Sequence, residues 1–201
     1  MKKDSWQDLV KAADEMLRAQ EQTNLTYGVR EGAAPLAPWP SQPAQIVFLD
    51  FDGVLNSDLS MSEIGTRYRF APSCVAALNS MLLQSGAHIV ITSSWRQNFA
   101  LRENAQFLER DGVISGRVVG QTPWLERERG AEIDAWLRHV PFAVSSFVIL
   151  DDRNDMAMHS QRLIRVNPSA GLSPMHVRRA LATLNVPWRP MGMEGRQKAD
   201  G

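Results

Sequence analysis

Three short apolar runs dominate the chain, and each breaks off into polar residues at its carboxyl end. Ile46-Val47-Phe48-Leu49 runs into Asp50-Phe51-Asp52-Gly53, Ile89-Val90-Ile91 into Thr92-Ser93-Ser94-Trp95-Arg96, and Val148-Ile149-Leu150 into Asp151-Asp152. A strand that is apolar at every position, not every second one, must be covered on both faces. That is the condition of a parallel sheet held between two layers of helix. The segments between the runs meet it. Residues 72–84 read as a helix with Pro72 in its first turn and Gly86 just past its end. Residues 97–110, 129–139 and 173–184 also read as helices, the last opened by Ser173 as N-cap and Pro174 behind it. Strands are expected at 45–49, 88–92, 116–121, 146–150 and 163–166. The alternation predicts one α/β domain over residues 45–186, a parallel sheet with helices on both faces.

The ends of the chain have a different character. Residues 4–22 carry Trp6, Leu9, Val10, Ala13 and Leu17 at helical spacing, with Asp4 or Ser5 as cap. Gly28, Gly32, Pro35, Pro38, Pro40 and Pro43 make the following stretch a stiff, irregular linker. Residues 1–44 are therefore expected to be a helix and linker appended to the domain, and 187–201, polar and unpatterned, a loose tail. Lys and Arg number 22 and so do Asp and Glu, which removes any global argument for nucleic acid or an anionic membrane but leaves room for a local basic patch. Cys74 is the one cysteine; it excludes an internal disulfide and reads as a small buried hydrophobe. Met1-Lys2-Lys3 leads into mixed charge, not an apolar signal segment, and no apolar run approaches the roughly 20 residues needed to cross a bilayer. A soluble, cytoplasmic protein is expected.

In a parallel sheet of this kind ligands bind beyond the carboxyl ends of the strands. Those ends hold what phosphate chemistry needs. A phosphate monoester is anionic and repels nucleophiles; a Mg2+ ion offsets that charge and takes oxygen ligands, and a carboxylate can attack phosphorus. The segment Asp50-Phe51-Asp52-Gly53, behind its apolar strand, resembles the nucleophile motif of the haloacid dehalogenase (HAD) superfamily. Ser93, Arg129 and Asp151-Asp152 fit that superfamily's other three motifs, in order. Over residues 45–186 the phrases resemble most a capless subgroup, the HAD domains of Swiss Army knife RNA-repair-type proteins.

The resemblance implies a Rossmann-like (HAD-like) fold and a Mg2+-dependent phosphohydrolase working through an aspartyl-phosphate on Asp50. It implies that Asp52 protonates the leaving oxygen and then activates water, its backbone carbonyl also binding Mg2+; an acid at position 52 favours ester hydrolysis over dehalogenation. Ser93 is the expected hydroxyl donor to a phosphoryl oxygen, with Thr92 and Ser94 competing. Arg129 is the expected site cation, with Arg127 as the alternative. Asp151 and Asp152 are expected to complete the Mg2+ site with Asp50 and Asp52, Asp155 being a further acid one turn on. Gly53, Ser94 and Arg96 are the expected substrate-binding residues. Plainer readings compete: a helix cap for Ser94, a surface ion pair for Arg96, a solvated charge run for Glu126–Arg129, and N-capping for one of Asp151 and Asp152.

Residues 56–71 are too few to form a cap domain, and 97–128 carry core-like signals. An open site suits a bulky substrate such as a nucleic-acid end or a phosphoprotein, or a small one if another chain closes over it. Arg67, Tyr68 and Arg69 lie in the short insertion, either as an ordinary exposed turn or as contacts to phosphates and a stacked base. The leading expectation is a phosphatase acting on a polynucleotide phosphate end. The alternatives are a phosphate-ester binding or regulatory module without turnover, and a domain active only with a partner docked through residues 1–44.

Overall fold

Five strands pair side by side in one all-parallel sheet: β1 (Ala44–Leu49), β2 (His88–Ile91), β3 (Val118–Gln121), β4 (Val144–Asp151) and β5 (Leu163–Arg165), in the spatial order β3-β2-β1-β4-β5. The computed structural model describes Leu36 and residues 39–189, apart from Arg67, Glu126 and Arg127. The helix expected at 4–22, most of the linker and the tail past Arg189 lie outside the described residues. Helices α1 (Asp58–Ile64), α2 (Pro72–Ser85), α3 (Leu101–Arg110), α4 (Arg129–His139) and α5 (Pro174–Thr183) alternate with the strands. The backbone enters the sheet at its central strand, β1, winds out to β3, then crosses to the other side of β1. A crevice opens at such a reversal, at the carboxyl ends of the strands.

Alternation along the strands makes two cores. Val47, Leu49, Ile89, Ile91, Val148 and Leu150 pack in one cluster with buried residues of α2, α3 and α5. Ile46, Phe48, Val90 and Ile149 pack in a second with Ile133 and Trp136 of α4, where Phe48 meets the Trp136 ring edge-on at 5.4 Å. Helices therefore cover both faces, which is why the runs show no polar alternation. Each buried aliphatic or aromatic side chain contributes about 1.5–3 kcal/mol over its exposed state.

Three local features differ from expectation. Strand β4 starts earlier, at Val144. The helix expected at 97–110 divides into a 3-10 turn, Ser94–Gln97, and α3 from Leu101, whose first turn is tied by the Ala100 amide donating to Glu103 Oε2 at 2.8 Å. The connection 56–71 contains α1, seven residues long, held by a reciprocal cap: the Ser57 amide donates to Ser60 Oγ at 2.8 Å and the Ser60 amide to Ser57 Oγ at 3.2 Å. A serine in place of the usual Glu or Gln at the third position makes that cap hard to read from sequence. Among the described residues α1 is the one helix between β1 and α2, so no large cap covers the strand ends. At the other end Arg189 still touches the domain, its amide donating to Gln84 Oε1 at 2.7 Å. No helix among the described residues is long and apolar enough to cross a membrane.

Gly171 joins the last helix to the loop that follows β1. Its φ of +76° suits glycine, and a Cβ there would lie 2.7 Å from Cys74 Sγ and 3.2 Å from the Val54 carbonyl oxygen. The next amide, Leu172, donates to that same carbonyl at 2.8 Å. Cys74 is buried, as expected of it, and burial raises its thiol pKa. G171A should cost about 1–3 kcal/mol in urea unfolding, from the left-handed backbone and the thiol clash together. Adding C74A should recover only the clash. An equal cost of G171A in both backgrounds would place all of it in the backbone.

Candidate functional site

The register of the sheet sets the site. Leu49 stands beside Ile91 on one side and Leu150 on the other, and the ladder runs one residue further: the Thr92 amide donates to the Leu49 carbonyl at 2.9 Å and the Asp50 amide to the Leu150 carbonyl at 3.0 Å. Thr92, Asp50 and Asp151 therefore form one row across β2, β1 and β4. All three are buried. Neighbours in register point the same way, and this row follows the alternation of Val90, Phe48 and Ile149, towards α4.

Helix α4 brings Arg129 to the row. Its guanidinium is buried, with Nη1 at 3.2 Å from Asp151 Oδ2 and 3.7 Å from Asp50 Oδ1, and it donates to the Thr92 carbonyl. Burial works against its charge, but Asp50, Asp151 and Glu132 outweigh that and hold it above the ordinary arginine range. Gly130 explains how the helix comes so close. A Cβ on it would lie 2.2 Å from the Met156 carbonyl oxygen, so only glycine lets the 155–156 backbone lie against the first turn of α4. Asp155 completes that dock: its carbonyl accepts from the Gly130 amide at 3.1 Å and its Oδ2 from the Arg129 amide at 3.2 Å. It braces the helix end, where its charge is also favoured by the helix dipole. Arg127 lies outside the described residues.

A second ion pair stands behind the first. Arg96 is turned inward, pairs with Glu132, donates to the Ser93 carbonyl at 2.7 Å and lies under the Trp124 ring, 5.1 Å from its centroid. Burial pulls Arg96 down to about 10 and pushes Glu132 up, in each case against the attraction of the partner. Glu132 Oε2 is also 4.0 Å from Arg129 Nε. Glu132 was not singled out from the sequence, although its three-residue spacing from Arg129 was a signal that the two meet on one helix face.

Asp52 sits past the strand, half-buried, with a donor on each oxygen. Asn56 Nδ2 donates to Oδ1 and Trp95 Nε1 to Oδ2, both at 2.9 Å. Gly53 turns the chain with φ +76°, and a Cβ there would lie 2.9 Å from Asp152 Oδ2. The three hydroxyls that follow β2 differ. Thr92 Oγ1 is buried without a hydrogen-bond partner; Ser93 Oγ accepts from the Trp95 amide at 3.4 Å and caps the 3-10 turn; Ser94, half-buried, begins that turn. In the short insertion, Arg69 pairs with Asp111 at 2.9 Å, while Tyr68 stays exposed with its ring 5.3 Å from Trp95. Arg67 is outside the described residues.

Three carboxylates remain crowded at the mouth. Asp50, Asp151 and Asp152 each bring an oxygen within 4.8 Å of the other two. Asp151 Oδ1 accepts from the Arg153 amide at 2.9 Å, but Oδ2 makes no hydrogen bond, the Arg129 contact being an ion pair only. Burial, then the charge of Asp50, pushes Asp151 up to about 7 and raises Asp152 as well. Three acids against one guanidinium, all oxygen donors and one oxygen unbonded, fit a hard divalent cation such as Mg2+. The carboxylate of Asp52 belongs to the Trp95–Asn56 pair instead.

Residues 46–177, well over half of the chain, match a family described as the HAD domain in Swiss Army Knife RNA repair proteins. No curated protein matches the chain.

Asp151 holds its proton more tightly when folded than unfolded. The metal-free fold therefore binds more protons than the unfolded chain between about pH 4 and 7, and its stability should fall as pH rises through that window. A divalent cation must displace this proton, so Mg2+ affinity should rise from pH 5.5 to 8. Calorimetry in buffers of different ionisation heat should record more proton release at pH 6 than at pH 8. Affinity independent of pH would separate the cation from Asp151.

Proposed function

The chain belongs to the family of HAD domains in Swiss Army Knife RNA repair proteins, and on that premise we propose that it is a Mg2+-dependent phosphohydrolase with Asp50 as its nucleophile. One observation carries the reading: Asp50 shares its row with Asp151 and lies within 4.8 Å of both Asp151 and Asp152, with the Arg129 guanidinium beside it. Such crowding costs stability unless a bound cation offsets it. Held by Asp50, Asp151 and Asp152, with the Asp52 carbonyl as a further ligand, Mg2+ would neutralise and orient the phosphoryl group.

The chain's own residues divide the remaining work. An Asp50 oxygen bonds to phosphorus while the ester P–O bond breaks, and Asp52 gives its proton to the leaving oxygen. Asp52, now a carboxylate, takes a proton from water as the water oxygen bonds to phosphorus. The bond to Asp50 breaks, phosphate leaves, and Asp52 is protonated again. Arg129 offsets charge beside Asp50 throughout. Thr92 becomes the preferred hydroxyl donor to a phosphoryl oxygen, since its Oγ1 has no other partner while Ser93 serves as a cap. Arg96, committed to Glu132, acts through Arg129 and not on the substrate. Gly53 gives the tight turn beside Asp152.

The leading substrate is a polynucleotide phosphate end. The family's association with RNA repair supports it, as does a mouth that no cap domain covers among the described residues. Arg69 is already paired with Asp111, which leaves Tyr68 as the described insertion residue best suited to contact a base. Residues 45–186 form the phosphohydrolase unit in this reading, and 1–44 an appendage.

D50N should lower turnover of 5′- or 3′-phosphorylated oligonucleotides and of p-nitrophenyl phosphate by at least about 10^4-fold while the protein stays folded. EDTA should stop the wild type and Mg2+ restore it. Normal turnover by D50N or in EDTA would reject the reading. Separately, T92A should reduce kcat by about 10–100-fold, whereas S93A should leave kcat nearly unchanged, since the loss of a cap falls on stability. The reverse order returns the hydroxyl role to Ser93.

A further inference from the structure

The partners of Asp52 do more than satisfy it. Trp95 is buried, and its ring is hemmed in by five others: Phe51 at 5.3 Å, Phe70 stacked at 5.7 Å, Phe107 at 5.5 Å, Phe99 at 6.1 Å and Tyr68 at 5.3 Å. The indole cannot swing without unpacking them. Its Nε1–H points at Asp52 Oδ2. An indole donates and never accepts, so it takes no part in moving the proton. It can only fix where the carboxyl group points and which lone pairs stay open. Asn56 supplies the opposing arm: it is buried, and its carbonyl accepts from the Gly53 amide at 2.9 Å, which ties it to the turn that carries Asp52.

We propose that Trp95, with Asn56, is a positioning residue for proton transfer by Asp52. The indole and the amide form a rigid two-donor bracket that aims the carboxyl group at the leaving oxygen. Among the described residues no cap domain lies over the site to orient its acid by closure, and a post built into the aromatic core does so permanently. The proposal rests on Asp52 being the acid–base group, so its test keeps the two claims apart.

The full chain is compared with W95F and D52N on a series of aryl phosphates, with kcat/KM as the readout. That constant covers the steps up to departure of the leaving group, where a proton matters for phenol and hardly at all for 2,4-dinitrophenol. W95F should lose about tenfold on phenyl phosphate, the cost of one hydrogen bond to a charged group, and no more than about twofold on 2,4-dinitrophenyl phosphate. D52N should show the same pattern more deeply. An even loss, or none, in W95F beside a discriminating D52N overturns the role of Trp95 and leaves Asp52 as the acid. A D52N indifferent to the leaving group overturns both. Should W95F fail to fold, 15N spectra of the six indole N–H groups serve instead: one resonance moved by D52N supports the bracket, and none moved overturns it.

Discussion

One guanidinium holds the site together. Arg129 is buried where three carboxylates meet, and without it Asp50 and Asp151 would face each other with little to offset them. Keeping an arginine there takes much of α4. Gly130 gives up its side chain so that the 155–156 backbone can lie on the helix, Asp155 caps the exposed amides, and Glu132 with Arg96 steadies the guanidinium from behind. Those contacts come from three separate segments. The Arg-Gly pair at the start of a helix thus has a plain physical meaning: the arginine supplies charge, and the glycine lets it be delivered.

Much of the fold was legible because the uninterrupted apolar runs admit few solutions. A strand buried on both faces needs helices on both sides, and the helices were there between the runs. Asp50, Asp151 and Asp152 were legible as strand ends, while Arg129 was picked out by the family resemblance, with Arg127 as the alternative. What escaped was finer. Thr92 and Ser93 are adjacent in sequence, and only the register against Leu49 shows that Thr92 shares a row with Asp50 while Ser93 steps off to cap a turn. The Arg69–Asp111 pair joins an insertion to the end of a distant helix, a contact no local pattern carries. The cap of α1 escaped because its third position is a serine.

Asp50 and Asp52 share a motif but not their hydrogen-bond partners. In the fold they part: Asp50 joins the row and the acidic trio, and Asp52 turns with Gly53 into the company of Trp95 and Asn56. The two carboxylates then sit in different surroundings, one among charges and one between two neutral donors.

The row Thr92–Asp50–Asp151 hangs directly from the hydrogen-bond ladder of the three central strands. Amides of that kind are, as a rule, the last to exchange with solvent, because they open only when the whole domain opens. The reactive groups therefore share the fate of the most protected part of the molecule. Heat or denaturant cannot disperse them by fraying an edge; they scatter when the sheet itself comes apart. Helix α1 stands outside that ladder, tied instead to the 168–169 loop by the amides of Asp58 and Leu59. On the proposed reading, the chemistry is lodged in that slow, cooperative interior.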